Sequence, residues 1–267
     1  DVVAEQVRVL EEVHTAPVSR PPEATPEPSG KAAVAEAEVL PFALDSRAVH
    51  VVADERGLAR FEGVLRERLA ASADMDGVPV EGSGADPGPE ATTPLLQMVG
   101  IDAEWRPRSS LLALLQVAFR RSVFLLDMVA LRGDDRARPR AARLLRSALE
   151  SRRLFKVGFG LDQDLQRLSE CWPEAIPVQG ASSVVELRAL ASAALPDLDL
   201  GRTRGLSGLC YAVLGRGLDK REQTSDWESR PLRPEQVAYA AQDAHVCVRL
   251  FDNLCYHCGT LATRPLL

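Results

Sequence analysis

The sequence predicts an α/β domain on a mixed β-sheet that opens as an antiparallel meander and is flanked by helices. Three observations carry this expectation. Strand-like apolar runs at Leu95–Glu104, Leu111–Phe119 and Ser122–Met128 follow one another in quick succession. Arg106-Pro107-Arg108-Ser109 and Arg120-Arg121 supply the connections, the second short enough for a hairpin. A fourth run, Leu154–Gly158, comes after the helical pattern of Pro139–Glu150, and a strand reached by a helical crossover lies parallel to its neighbour.

The elements follow in chain order. Residues 1–15 show a short helical stripe of Val3, Val7, Leu10 and Val13, which reads as the end of a preceding helical region. Pro17 to Gly30 is rich in Pro, Ser, Thr and Glu, a linker composition, so residues 1–40 are expected to be largely disordered. A domain is expected over 41–259. It starts with a strand at Ala48–Ala53, then a helix from an Asp54 N-cap to about Ala71 that buries Leu58, Phe61, Leu65 and Leu69. The polar, Gly- and Pro-rich stretch 72–94 reads as a disordered acidic insertion. Beyond the meander, helices are expected at Leu161–Cys171, Val184–Ala194, Gly205–Leu214 and from Pro234 to about His257, where Pro234 suits the first helical position. Residues 260–267 read as the start of a further C-terminal region, and with an opening Asp rather than Met the chain is expected to be a fragment.

Composition narrows the function classes. The 267 residues are 46% hydrophobic and 26% charged, ordinary for a globular protein. No apolar run reaches the 18 or so residues of a membrane span, so no membrane partner is expected. Five cysteines without framework spacing read as reduced thiols and an intracellular location, with nucleus and cytoplasm left open. The net charge of −6 would disfavour nucleic acid, but it is unevenly spread. Residues 1–94 hold 8 Lys and Arg against 18 Asp and Glu, whereas residues 95–259 hold 23 against 20. The domain itself is mildly basic, which permits phosphate binding.

The chemistry gathers around Val99-Gly-Ile-Asp102-Ala-Glu104-Trp105. Residues two apart on a strand share a face, so the Asp102 and Glu104 carboxylates leave the sheet side by side and repel. A hard divalent cation makes sense of such a pair. A second acidic site, Asp162-Gln-Asp164, lies at a strand-to-helix junction. On a helical wheel Asp164 falls about 67° from the centre of the Leu161, Leu165 and Leu168 stripe, against about 93° for Asp162. Asp164 is therefore the functional candidate and Asp162 the N-cap. A third, Tyr239-Ala-Ala-Gln-Asp243, stacks a phenol over a carboxylate at i, i+4 on the last helix.

In type and order these residues resemble the DEDDy branch of the DEDD 3′–5′ exonucleases, the family of RNase D and the Werner-syndrome helicase exonuclease domain. The resemblance runs from about Val49 to Leu254 and takes in Leu111-Leu-Ala-Leu-Leu-Gln116-Val, Gly205 to Gly215, and Lys220 through Asp226-Trp227 to Arg230-Pro231-Leu232. Within that branch the sequence resembles the mutator-type (mut-seven homologue) exonucleases of animals. The resemblance implies an RNase H-like fold and a metal-dependent hydrolase acting on the 3′ end of single-stranded RNA or DNA to release nucleoside 5′-monophosphates. It implies two Mg²⁺ or Mn²⁺ ions, with Asp102 bridging both, Glu104 and Asp243 on one, and Asp164 in the outer shell of the other. Tyr239 would hold the attacking water, and with an ordinary pKa near 10 it would not be the sole base.

Trp105, next to the metal strand, is a candidate to stack on a terminal base or to pack in the core. Arg140, Arg143 and Arg146 are expected outward on a solvated helix face. Trp227 reads as packing. Cys255 and Cys258 make half a zinc site with no second half in view. The alternative to an enzyme is a catalytically weak module using the same fold to bind nucleic acid or protein. An intact set of repelling carboxylates favours the enzyme.

Overall fold

The computed structural model describes residues 48–73, 96–198 and 205–258. The expectations for residues 1–40 and 260–267, and for nearly all of 72–94, lie outside these.

The elements in order are β1 (Val49–Val52), α1 (Glu55–Ala73), β2 (Met98–Glu104), β3 (Leu114–Phe119), β4 (Ser122–Asp127) and the short α2 (Met128–Arg132). They continue with α3 (Ala137–Glu150), β5 (Phe155–Gly158), α4 (Leu161–Cys171), β6 (Val184–Glu186), α5 (Leu187–Ala194), α6 (Gly205–Leu214) and α7 (Pro234–His257). One six-stranded sheet is ordered β1-β4-β3-β2-β5-β6. β2, β3 and β4 form the expected antiparallel meander, with Phe119 opposite Ser122 at the hairpin. The β1–β4, β2–β5 and β5–β6 pairs are parallel, so the sheet is mixed, as crossover helices require.

Strand alternation divides the core into two layers. Val99, Ile101, Ala103, Leu115, Val117, Phe124 and Leu126 face α1, α3 and α4. Met98, Leu114, Ala118, Val123, Leu125 and Val157 face α5, α6 and α7. Asp102 and Glu104 alternate with the first set, so they look toward α7. That face leaves almost no space: a Cβ on Gly100 would stand 2.3 Å from the Ala244 carbonyl oxygen. Glycine lets α7 approach β2 this closely, and it is this approach that brings Asp243 beside Asp102.

Three expectations need correction. Val184–Ala194 is not one helix: Val184–Glu186 pairs with Lys156–Gly158 as a strand before the chain turns helical. Three residues are too few to show a period, and the pairing is made across the fold. Asp162 is not the α4 N-cap. That position is Gly160, at φ +70°, and the carboxylate reaching its free N–H groups belongs to Glu186. Finally, the α3 arginines are not simply solvated. Arg140 is half-buried and pairs with Glu55 and with Glu62 at 2.7 Å, and Arg146 donates to the Glu174 carbonyl. Only Arg143 is exposed. These contacts fasten α1 and the turn after α4 to α3.

Candidate metal centre

Asp102, Glu104 and Asp243 converge where β2 ends against α7. Each offers a carboxylate oxygen, and the three oxygens lie within 4.8 Å of one another. Glu104 and Asp243 are buried, while Asp102 keeps a partly open edge. Among the described residues this is the only group of three or more His, Cys, Asp or Glu side chains close enough to hold a metal ion. Cys255 and Cys258 find no second pair there; Cys255 is buried and Cys258 exposed.

Asp164 comes in from α4. It is 6% exposed, whereas Asp162 is exposed, as the wheel predicts. It lies outside the three-oxygen group, yet its charge raises the pKa of both Asp102 and Glu104. Burial is the main cause for all four carboxyls; repulsion within the set adds to it for Asp102 and Glu104, and Glu186 adds to it for Asp164. Asp102 is held well above the ordinary range, Glu104 is pushed to about 10, Asp164 to about 8 and Asp243 to about 6. Tyr239 donates a hydrogen bond to Asp243, which moderates that carboxyl's rise. The phenol's own pKa goes strongly upward, first through burial and then through Asp243 and Glu104.

Three further residues contribute to the centre. Lys220, in the loop before α7, carries a positive charge that lowers the pKa of Asp102, Glu104 and Asp243. Glu186 accepts from the N–H groups of Gly160 at 2.8 Å and Leu161 at 3.2 Å, and its charge raises Asp164. Gln116 lies directly opposite Asp102 in the β2–β3 register. For Gln116 a signal existed: it is the one polar residue in the run Leu111–Phe119. Glu186 carries no local signal, because its partners lie far away in sequence, and Lys220 is marked only as the first residue of a segment that resembles the family.

Two aromatics adjoin these residues, Trp105 next to Glu104 in the chain and Trp227 against Tyr239. Trp105 is half-buried against the α3–α4 layer, with the Arg167 guanidinium 4.9 Å from its ring centre. Arg167 is one turn beyond Asp164, so this stack ties α4 to the end of β2. Trp227 is fully buried and its ring lies 5.9 Å from that of Tyr239, in keeping with a packing role. Arg230 locks the Trp227 loop to the sheet, bonding Asp127 through two nitrogens at 2.5 and 2.7 Å and the Trp227 carbonyl at 2.7 Å.

A family model described as 3′–5′ exonuclease matches residues 91–256, more than half the chain. Among curated proteins, the exonuclease mut-7 homolog of Homo sapiens is 39% identical over 177 residues, covering 60% of this chain and 20% of that protein. The exonuclease mut-7 of Caenorhabditis elegans is 32% identical over 174 residues, covering 58% and 19%. The chain thus spans about a fifth of the length of these relatives. Among solved structures, the Aedes aegypti Nibbler EXO domain superposes with a TM-score of 0.60 at 20% identity, covering 81% of this chain and 91% of that one. Escherichia coli RNase D, an exoribonuclease involved in structured RNA processing, gives 0.56 at 16% identity, covering 79% and 45%. These two likenesses establish the RNase H-like exonuclease fold.

Proposed function

Because the chain belongs to the 3′–5′ exonuclease family, we propose that it hydrolyses phosphodiester bonds at the 3′ end of single-stranded RNA or DNA, releasing nucleoside 5′-monophosphates with divalent metal ions. One observation carries this reading: three carboxylate oxygens within 4.8 Å, with Asp164 close enough to act on two of them. Among the described residues none of the four carboxylates has an ion-pair partner within salt-bridge distance. A buried set of repelling carboxylates costs stability unless a cation offsets it. The donors are all hard oxygens with no sulfur or imidazole, which suits Mg²⁺ or Mn²⁺. Asp102, Glu104 and Asp243 would hold the ions, with Asp164 supporting from α4. Bound there, two such ions would offset the phosphate charge and make water acidic enough to attack.

The chain's own groups supply orientation. The Tyr239 hydroxyl is fixed by its bond to Asp243, and its raised pKa keeps it protonated. It is therefore placed to orient water rather than to act as the sole base. Lys220 presents a positive charge to the same pocket, suited to the non-bridging oxygens of a phosphate. The Trp105–Arg167 stack at the end of β2 offers a planar cationic face on which the terminal base would rest.

The test is incubation with 5′-labelled single-stranded RNA and DNA of one sequence, with Mn²⁺ and with EDTA. A ladder shortening from the 3′ end only with metal is expected. Intact substrate under every condition would refute the enzyme reading and leave a binding module.

A further inference from the structure

Gln116 sits in the middle of β3, and every residue of that strand is buried. Its own exposure is 0%, and among the described residues neither its amide nitrogen nor its amide oxygen has a hydrogen-bond partner. Nearly all buried side-chain polar atoms are satisfied, so an amide orphaned at both ends points to a missing partner. The neighbours that share its face, Leu114 and Ala118, are apolar and pack in the α7 layer. Packing alone would therefore be served by Leu or Met.

Register identifies the partner. Gln116 pairs directly with Asp102, and directly opposed residues of an antiparallel pair project to one face with Cβ atoms roughly 4.5–5.5 Å apart. A glutamine amide at that range reaches the Asp102 carboxylate, or a water beside it, by a side-chain rotation. A carboxylate that holds a cation keeps lone pairs free to accept from such an amide.

We propose that Gln116 is a positioning residue of the metal centre: its amide bonds the metal-loaded Asp102 carboxylate, or water held next to it, and fixes the carboxylate's orientation. The assignment rests on the metal reading above and goes beyond the four carboxylates and the tyrosine. Partners that orient metal ligands are typically worth 10–100-fold in metal affinity.

Two readouts besides turnover test it, using the chain as it stands. Gln116→Met keeps nearly the same volume and removes both orphaned atoms, with Gln116→Leu as a second variant. Mn²⁺ binding followed by titration calorimetry is expected to weaken roughly 10–100-fold in both. The metal-free melting temperature is expected to hold or rise, because an unsatisfied buried amide has been replaced by an apolar group of similar shape. A residue that merely packs would give the opposite pair, a lower melting temperature with unchanged Mn²⁺ affinity, and that result would overturn the assignment. Wild-type and variant chains binding Mn²⁺ equally would refute the Gln116 role alone. A wild-type chain that bound no Mn²⁺ would refute the metal reading and this inference with it.

Discussion

At position 239 the phenol hydroxyl donates to Asp243, and burial with the neighbouring carboxylates holds its proton far above the ordinary tyrosine range. A group in that state orients and does not titrate. Tyr239→Phe is therefore expected to lower kcat by ~10²–10³ with little change in KM. The rise of rate with pH should persist in the variant; a pH–rate profile that lost its ascending limb would make the phenol the base after all. The two aspartates of α4 separate in the same way. Asp164 is buried against the group and Asp162 is exposed, so Asp164→Asn should cost far more activity than Asp162→Asn under matched Mn²⁺. Helical periodicity made the burial of Asp164 legible, since only one of the pair can lie near the leucine stripe. It could not show that Asp162 caps nothing, because the group at the helix start is Glu186, from a strand outside the local sequence.

Glycine at 100 and glutamate at 186 act through the elements they join. Gly100→Ala would place a methyl 2.3 Å from the Ala244 oxygen, which is helix backbone and cannot step aside. α7 must then move off β2, carrying Asp243 and Tyr239 with it. The expected cost is about 1–3 kcal/mol of stability by denaturant unfolding, together with loss of Mn²⁺ affinity. A variant with wild-type metal binding would show that the strand–helix distance does not set the centre. Glu186→Ala removes the acceptor for two N–H groups at the α4 start, where Gly160 has no side chain to substitute. It should destabilise by about 0.5–2 kcal/mol. The meander, the crossovers and α7 were legible because each has a period or a punctuating residue. β6 was not, since its three residues are strand only through pairing with β5.

For the whole molecule, the four carboxyls couple metal binding to stability and pH. Each has a folded-state pKa above its unfolded value, so without metal the fold binds more protons than the unfolded chain. The window runs from the ordinary range near 4 up to about 8 for Asp164 and about 10 for Glu104. Stability from this source is complete below that window and is lost as pH rises through it. Lys156 runs the other way. Burial lowers it to about 7 from 10.5, so its contribution to stability grows as pH rises between those values. Its ammonium donates to the Ser151 carbonyl before β5, whereas the carboxylates gather at the exit end of β2. Metal should leave Lys156 unchanged, and the difference in melting temperature with and without Mg²⁺ isolates the carboxyls. That difference should widen steadily between pH 5 and 8.5, because at low pH the ions compete with protons and at high pH they relieve bare repulsion. Asp102→Ala should flatten the dependence while melting no lower than wild type without metal, having lost a carboxyl that burial and its acidic neighbours disfavour. A metal-induced shift that stayed constant or shrank with pH would mean that the cluster is not where the ion binds.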